Sequence, residues 1–224
     1  MSGKKPKVTI LYAPGTNCQH ETAFAFARAG AQPRIVFLEE VVKGKDRLDD
    51  GDIFCLPGGF SYGDHVRAGC LAGLILKTIV KEQVANIVQR PWIAICNGFQ
   101  IAAEAEFFGS GVTLAHNIGG TFHHQPLQPH IVAPDTDCIW LKGLQGKTLH
   151  FPCSHGEGRL LFNNRDGWRP AIYYPEHANP DGTTENITAI TTLNGLGLGM
   201  MNHPERAWRD EANMAIINNA VRES

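Results

Sequence analysis

The sequence has no excess of charge of either sign and no long apolar run. Its 224 residues include 20 Lys and Arg and 22 Asp and Glu, which gives a net charge of −2. This balance removes the electrostatic attraction that drives general binding to nucleic acids or anionic membranes. No apolar stretch reaches the ~18 residues that a membrane span needs. These absences leave an ordinary globular protein as the expected class.

The sequence also lacks paired-cysteine motifs. Its six cysteines, at positions 18, 55, 70, 96, 138 and 153, are widely spread, and no two form a CxxC pair. The basic N-terminus leads directly into a strand-like run and has no small-residue cleavage site of an export signal. We therefore expect reduced thiols and a cytoplasmic location.

The first half alternates short apolar runs with helical periodicity. The patterns predict strands at 8–12, 33–38, 53–56 and 92–95, and helices over 20–29, 71–88 and 97–108. Such alternation is typical of βαβ units, so we expect an α/β fold with a mainly parallel central sheet and helices on both faces.

The second half is richer in Gly, Pro, His and Thr, and its predicted elements are shorter. They are strands at 149–153, 172–174, 187–192 and 196–201 and a closing helix over 209–221. We find no repeat and no linker. We therefore expect one domain over 1–224, with residues 1–7 flexible and the later strands added to the same sheet.

Cys96 lies between a predicted buried strand and a predicted helix. This is the arrangement of a nucleophile elbow, a sharp turn that presents a side chain above the carboxyl ends of the strands. The small residues Ala94 and Gly98 suit such a turn. The following helix N-terminus favours the thiolate, and N–H groups beginning at Asn97 suit an oxyanion. A buried structural cysteine is the alternative, and the pattern alone leaves the two equally weighted.

A base for such a thiol is offered by His203, with Glu205 as the group that orients it. We expect an extended segment in which the two side chains point to the same side, because Pro204 disfavours a helix there. The tripeptide His203-Pro204-Glu205 alone is weak evidence for a catalytic site, but together with Cys96 it predicts a catalytic triad.

A glycine-rich segment, PGGFSYGD at 57–64, also follows a predicted strand. Gly58 and Gly59 let backbone N–H groups approach a ligand or complete an oxyanion hole. The segment matches neither the Walker phosphate-loop spacing nor GxGxxG, so we expect no nucleotide cofactor in this chain.

The other candidate residues have weaker patterns. Cys18 is a rival nucleophile, but no small residue stands two places after it. The segment 154–159 is either a pocket wall or a polar turn. The histidines at 116, 123, 124 and 130 match no metal-ligand spacing and have no adjacent carboxylate, so we expect a solvated loop and no metal site.

Four motifs, taken together, resemble one family: PGGFSYGD at 57–64, CNGFQ at 96–100, HGEG at 155–158 and GMMNHPERA at 199–207. The family is the class I (triad) glutamine amidotransferases, and the combination is most similar to its glutaminase subunits of purine biosynthesis. PGTNC at 14–18 and RAG at 67–69 also resemble segments of these glutaminase subunits. The resemblance extends from about residue 8 to residue 207 in the family's motif order, with departures at Ala94 and Asn202 and over 121–147.

The resemblance implies a flavodoxin-like fold and a γ-glutamyl thioester formed on Cys96, with His203 as base and Glu205 orienting it. By the same resemblance, Gly59 and Asn97 supply oxyanion N–H groups, and Gln100 and the His155 segment shape a pocket for L-glutamine. Ammonia would pass to a separate synthetase subunit that binds ATP and magnesium, with a small third subunit bridging the two.

Two other functions stay open at this point. One is a stand-alone cysteine amidase, or an amidotransferase subunit that serves a different synthetase. The other is a non-catalytic binding module, which the presence of all three triad residues disfavours.

Overall fold

The computed structural model describes residues 4–224 and contains eleven strands in that range. They are β1 Lys7–Tyr12, β2 Gln32–Phe37, β3 Ile53–Leu56, β4 Trp92–Ile95, β5 Val112–Ala115, β6 His123–Val132, β7 Thr148–His155, β8 Arg159–Phe162, β9 Trp168–Tyr173, β10 Ile187–Thr192 and β11 Gly197–Met200. Nine of them form one sheet in the order β2-β1-β3-β4-β11-β10-β9-β6-β7.

Strands β2, β1, β3, β4 and β11 are mutually parallel. Their order is that of a flavodoxin-like sheet, with β11 in the fifth place. In such a sheet the carboxyl ends of neighbouring strands meet at one edge, where ligands bind. The predicted α/β class is confirmed, and the parallel strands carry the carboxyl-terminal edge on which Cys96 was expected.

The sheet continues through antiparallel strands on its other side. Strands β10, β9, β6 and β7 pair antiparallel, as the later strands of the chain. The sequence did not predict β6, because Pro126 and Pro129 interrupt its pattern. A register shift between Gln125 and Gln128 accommodates this segment. Strands β5 and β8 were also missed, and they form a separate two-stranded sheet rather than joining the large one.

Six α-helices accompany the strands: α1 Gln19–Arg28, α2 Leu38–Val42, α3 Cys70–Thr78, α4 Lys81–Ile87, α5 Asn97–Glu104 and α6 Glu211–Glu223. The single helix expected over 71–88 is in fact α3 and α4. The break follows a run of three β-branched residues, 78–80, which have low helix propensity.

Two other helix boundaries differ from those expected. Helix α5 ends at Glu104 rather than at 108, because the chain turns at Glu106, whose φ is 58°. Phe107 and Phe108 then turn inward against the ring of Trp92. Helix α6 begins at Glu211, after Asp210 caps it by accepting a hydrogen bond from the N–H of Asn213 at 3.0 Å.

The N-terminal segment is ordered from an earlier residue than expected. Lys7 already belongs to β1, and the carbonyl of Pro6 accepts a hydrogen bond from Gln32. The expected flexible segment therefore does not include these two residues, and its first three positions lie outside the described residues. Across residues 4–224, no helix is long and apolar enough to cross a bilayer.

Candidate active site

Cys96 occupies a strained turn between β4 and α5. Its φ of 53° and ψ of −113° are unusual for a residue with a Cβ atom; such conformations cost on the order of 1–3 kcal/mol. The turn is held by the N–H of Cys96, which donates to the carbonyl of Met200 at 2.8 Å. A Cβ at Gly98 would lie 1.9 Å from the carbonyl oxygen of Leu56, so only glycine fits there. The elbow geometry expected from the sequence is present.

His203 and Glu205 form a buried hydrogen-bonded pair. The Nδ1 atom of His203 lies 2.6 Å from Oε1 of Glu205. The segment is not extended as expected, because a 3₁₀ helix runs over Pro204–Ala207. Proline stands at its first position, where the missing N–H costs nothing. Glu205 still reaches the imidazole, so the predicted contact is made through a different backbone conformation.

The fold brings Cys96 and His203 to one cavity. Strands β4 and β11 are parallel neighbours, so the residues that follow them emerge at the same edge. Both residues line a cavity of about 250 Å³. A Cβ placed on Gly58 would lie 2.9 Å from Cε1 of His203 and 3.5 Å from Cβ of Cys96. Gly58 thus leaves room for the imidazole to approach the thiol.

The electrostatic surroundings favour a protonated imidazole. Burial lowers the pKa of His203, but the Glu205 carboxylate and the Cys96 thiol raise it, and the net result is a pKa well above its usual value. The Nε2 atom of His203 has no hydrogen-bond partner among the described residues. It is the free nitrogen of the ring, since Nδ1 is held by Glu205.

Cys18 lies in the same cavity, which the sequence did not predict. Its Sγ accepts a hydrogen bond from the guanidinium of Arg206 at 3.0 Å, and it groups with His203 and Glu205 within 4.8 Å. Burial nevertheless raises the pKa of the Cys18 thiol. Its φ of −96° is unstrained, so Cys18 has no elbow, in contrast to Cys96.

Two backbone N–H groups have no partner within residues 4–224, one on Gly59, which lines the cavity, and one on Asn97, directly after Cys96. Gly59 has a φ of +151°, and a Cβ there would lie 2.7 Å from Cα of Thr16. The side chain of Asn97 is already used, because its Oδ1 accepts from the N–H of Ser61 at 3.0 Å. The backbone N–H groups are thus the free donors at this position.

The HGEG segment forms one wall of the cavity, and it also connects β7 to β8, so the cavity-wall and polar-turn descriptions of 154–159 both fit. Ser154, His155 and Glu157 line the cavity, and the carbonyl of Ser154 lies 3.7 Å from Sγ of Cys96. Gln100 fixes this wall, because its Nε2 donates to the carbonyl of Glu157 at 2.7 Å. Gln100 itself also lines the cavity, and its role in a glutamine pocket stays a prediction.

The imidazole of His155 points to a second cluster. Its Nε2 lies 3.7 Å from Oδ2 of Asp181, and its two ring nitrogens make no hydrogen bond. Burial lowers the pKa of His155 to about 4, which keeps the ring neutral. Asp181 also lies 3.0 Å from Nδ1 of His123. No carboxylate stands beside these histidines in the sequence, and Asp181 comes to them from a distant loop.

The expected solvated loop is also not observed for most of this histidine-rich segment. His123, His124 and His130 lie on β6, and His130 is fully buried. His116, whose side chain is 80% exposed, fits the solvated interpretation, and His124 is exposed but lies on the strand. The prolines hid a strand whose alternation places successive histidines on different faces.

Several cavity residues were not singled out from the sequence. They include Phe60, Asp64, Phe122 and Arg206. Burial raises the pKa of Asp64, although the N–H of Gly69 and the side-chain amide of Asn97 donate to its carboxylate. Asp64 and Arg206 lie inside the motifs PGGFSYGD and GMMNHPERA. Their positions in these motifs could have indicated that they belong to the site.

The elbow, the imidazole–carboxylate pair and the free N–H groups define the class of this protein. The model of the CobB/CobQ-like glutamine amidotransferase domain matches residues 5–223. The chain belongs to this family, as the sequence motifs predicted.

Relatives within the family are similar over nearly the whole chain. Phosphoribosylformylglycinamidine synthase subunit PurQ of Methanopyrus kandleri is 34% identical over 212 residues, which is 90% of this chain and 89% of the relative. The same subunit of Pyrococcus horikoshii is 35% identical over 210 residues, with coverage of 90% and 89%. A chain in the structure of PurLQS from Thermotoga maritima is 27% identical and superposes with a TM-score of 0.83, covering 98% of this chain and 99% of that chain.

Proposed function

We propose that this chain is the glutaminase subunit of a phosphoribosylformylglycinamidine synthase. It hydrolyses L-glutamine to glutamate and passes ammonia to a synthetase subunit of de novo purine biosynthesis. The observation that carries the proposal is the placement of Cys96, on its strained turn, in one cavity with the hydrogen-bonded pair of His203 and Glu205.

The triad acts through a covalent intermediate. His203 takes the proton of the Cys96 thiol, and the thiolate attacks the side-chain amide carbon of glutamine. The imidazolium then protonates the leaving nitrogen, ammonia departs, and a γ-glutamyl thioester remains on Cys96. Water, deprotonated by His203, hydrolyses the thioester to glutamate. Glu205 keeps Nδ1 of the imidazole engaged, so that Nε2 is the nitrogen that moves the proton.

The unpartnered backbone N–H groups stabilise the tetrahedral intermediates. The N–H groups of Gly59 and Asn97 suit the oxyanion, because fixed donors need no reorganisation when charge develops. Asp64 and Glu157 also line the cavity, and their carboxyl groups suit the α-ammonium group of glutamine. Gly58, Gln100 and His155 contribute to the pocket through its shape, as described above.

A partner is required for the rest of the reaction. The synthetase subunit binds ATP and magnesium and converts formylglycinamide ribonucleotide to formylglycinamidine ribonucleotide, and a small third subunit bridges the two. The similarity of this chain to a chain in the structure of PurLQS from Thermotoga maritima supports such an assembly. This chain itself needs no cofactor for glutamine hydrolysis. We expect the complex in the cytoplasm, where the six free thiols remain reduced.

Cys96→Ala tests the proposal directly. We expect glutamate release to fall to background in the complex with a purified synthetase subunit, since no thioester forms without the sulfur. Ammonium as nitrogen source should still support the ligase reaction in the same assembly. The glutamine-mimicking label diazo-oxo-norleucine should modify wild-type protein at Cys96 and leave the variant unlabelled.

The assembly also distinguishes the alternative functions. Addition of the synthetase subunit and its ribonucleotide substrate should raise glutamine turnover strongly in the wild type. Turnover that is high alone and indifferent to the partner would instead indicate a stand-alone amidase. Full glutaminase activity in Cys96→Ala would contradict the proposed mechanism.

A further inference from the structure

A second cluster of chemically active side chains lies outside the triad. It consists of His123 on β6, His155 on β7 and Asp181 on the loop that follows β9. One potential ligand atom from each residue lies within 4.8 Å of the other two. The closest pairs are His123 Nδ1 to Asp181 Oδ1 at 3.0 Å and His155 Nε2 to Asp181 Oδ2 at 3.7 Å.

The fold holds the three residues in place before any ligand binds. His123 and His155 are register partners in the antiparallel β6–β7 pair, so their side chains lie on the same face of the sheet. The loop of Asp181 is tied down by Asn179, whose side chain exchanges hydrogen bonds with Thr183. Gly158 lies against the ring of His155, and a Cβ there would be 2.3 Å from it. The imidazole therefore has little freedom to turn away.

The cluster carries a buried imidazole, that of His155, whose two ring nitrogens have no partner among residues 4–224. Asp181 has 2% of its side chain exposed, and within residues 4–224 no Lys or Arg forms an ion pair with it. The hydroxyl of Tyr174 and the ring of His123 are its hydrogen-bonding neighbours. A buried imidazole without a hydrogen-bond partner is uncommon unless a ligand completes it.

One member of the cluster, His123, lines a cavity that is open to solvent. The cavity has a volume of about 430 Å³ and is also lined by Gln125, Gln128, His177 and Asn179. This cavity differs from the one that contains Cys96, although His155 lies in the wall of the latter. An ion can thus approach the cluster from the side of His123 without passing the triad.

We propose that His123, His155 and Asp181 bind a divalent transition-metal ion of the zinc class. Two imidazoles and one carboxylate are ligands that such ions prefer, whereas Mg²⁺ and Ca²⁺ prefer sites made of oxygen alone. Three protein ligands leave a fourth tetrahedral position, which water from the cavity fills. On binding, the hydrogen bond from His123 to Asp181 is replaced, and His123 carries its proton on Nε2 instead of Nδ1.

A second group of residues could also bind zinc, and a test has to distinguish it from the proposed site. Cys18, His203 and Glu205 also lie within 4.8 Å of one another, and a thiolate there would bind the same metals. The full chain with Cys18→Ser and Cys96→Ser removes both thiols of the catalytic cavity. Zinc or cobalt that this double variant still binds is then held without either thiol, as expected for His123, His155 and Asp181.

The experiment is a titration of metal-free double variant with Zn²⁺ by calorimetry and with Co²⁺ by absorption. We expect one ion per chain and a four-coordinate cobalt spectrum without thiolate charge transfer. Adding Asp181→Asn or His123→Ala should weaken zinc binding about 100-fold or more. The matched control is His124→Ala, the exposed neighbour on β6, which should bind zinc as the double variant does.

Folding of each variant is followed by circular dichroism and by melting in the presence and absence of zinc. Zinc should raise the melting temperature of the double variant and of His124→Ala, but not that of folded Asp181→Asn or His123→Ala. His123 lies near the surface, so His123→Ala serves where Asp181→Asn fails to fold. Absence of zinc binding in the double variant, or binding unchanged by both ligand substitutions, would overturn the proposal.

Discussion

Nδ1 of His203 and Oε1 of Glu205 are joined at 2.6 Å across a single proline, with both side chains almost completely buried. In this position Glu205 fixes the ring and supplies the charge that favours the imidazolium. It opposes the effect of burial, which lowers the pKa of His203. The pair therefore controls both the orientation and the protonation of the base.

The first prediction concerns the pH dependence of glutamine hydrolysis. In Glu205→Gln the imidazolium loses its carboxylate, so the pKa of His203 falls and the ring deprotonates at a lower pH. The alkaline limb of the profile of kcat/KM against pH should move to lower pH. The maximum rate should fall by about 10²–10⁴-fold. Glu205→Asp keeps the negative charge, so its alkaline limb should lie between those of the wild type and Glu205→Gln. An alkaline limb that does not move in Glu205→Gln would contradict the electrostatic role of Glu205.

The second prediction concerns the elbow. Gly98→Ala would place a Cβ 1.9 Å from the carbonyl oxygen of Leu56 in β3. We expect a loss of about 3 kcal/mol or more in the free energy of unfolding, because backbone must move to relieve the clash. Urea denaturation measures it. Gly156→Ala is the matched control, since its nearest neighbour would be a side-chain atom of Phe122 at 3.6 Å, and its stability should change little.

A third prediction separates the two thiols of the catalytic cavity. Cys96→Ser should lose glutamine hydrolysis by about 10⁴-fold or more, as removal of a nucleophile does. Cys18→Ser should lose far less, because burial raises the pKa of the Cys18 thiol and its backbone is unstrained. Mass spectrometry after diazo-oxo-norleucine treatment should find the label on residue 96 in Cys18→Ser. Label on Cys18 in the wild type would reverse this assignment.

The fourth prediction is a loss of stability in acid. Burial lowers the pKa of His130 to about 4, below the value of about 6.5 in the unfolded chain. The unfolded state therefore binds the proton first, and stability is lost as pH falls from about 6.5 to 4. The contribution of His130 is about 3 kcal/mol. His123, His155 and Asp181 are the titratable groups that face it.

His130→Phe should flatten this acid dependence when unfolding is followed at several pH values. The ring packs against Phe151 and Tyr174, which a phenyl group can also contact. His124→Phe, at an exposed position of the same strand, should keep the wild-type dependence. A steep acid limb that persists in His130→Phe would show that other groups are responsible.

The catalytic end of the fold could be predicted from the sequence because its signals are local. Strand, cysteine and helix follow one another without a loop at Cys96, and the apolar runs of the parallel strands are short and uninterrupted. The contact of His203 with Glu205 was also predicted, although its backbone was not. Spacing alone cannot distinguish an extended segment from a 3₁₀ turn when both bring the same side chains together.

The rest depends on contacts between distant segments. Strand β6 was hidden by Pro126 and Pro129, which periodicity treats as breaks, while tertiary pairing with β7 holds it in the sheet. Cys18 lies in the catalytic cavity because the loop after β1 is hydrogen-bonded to the loop that contains Gly58. The N–H of Cys18 donates to the carbonyl of Gly58. Asp181 meets His123 for a similar reason. No local pattern contains information of this kind.

Strand β11 lies in the interior of the sheet, between β4 and β10, although it is the final strand of the chain. Its carbonyl at Met200 supports Cys96, and the residues directly after it supply the base. A nascent chain on the ribosome therefore displays the sulfur long before the proton acceptor emerges. A polypeptide that ends before His203 lacks the base and is unable to consume glutamine by this route, so the chemistry begins only after that residue has been added.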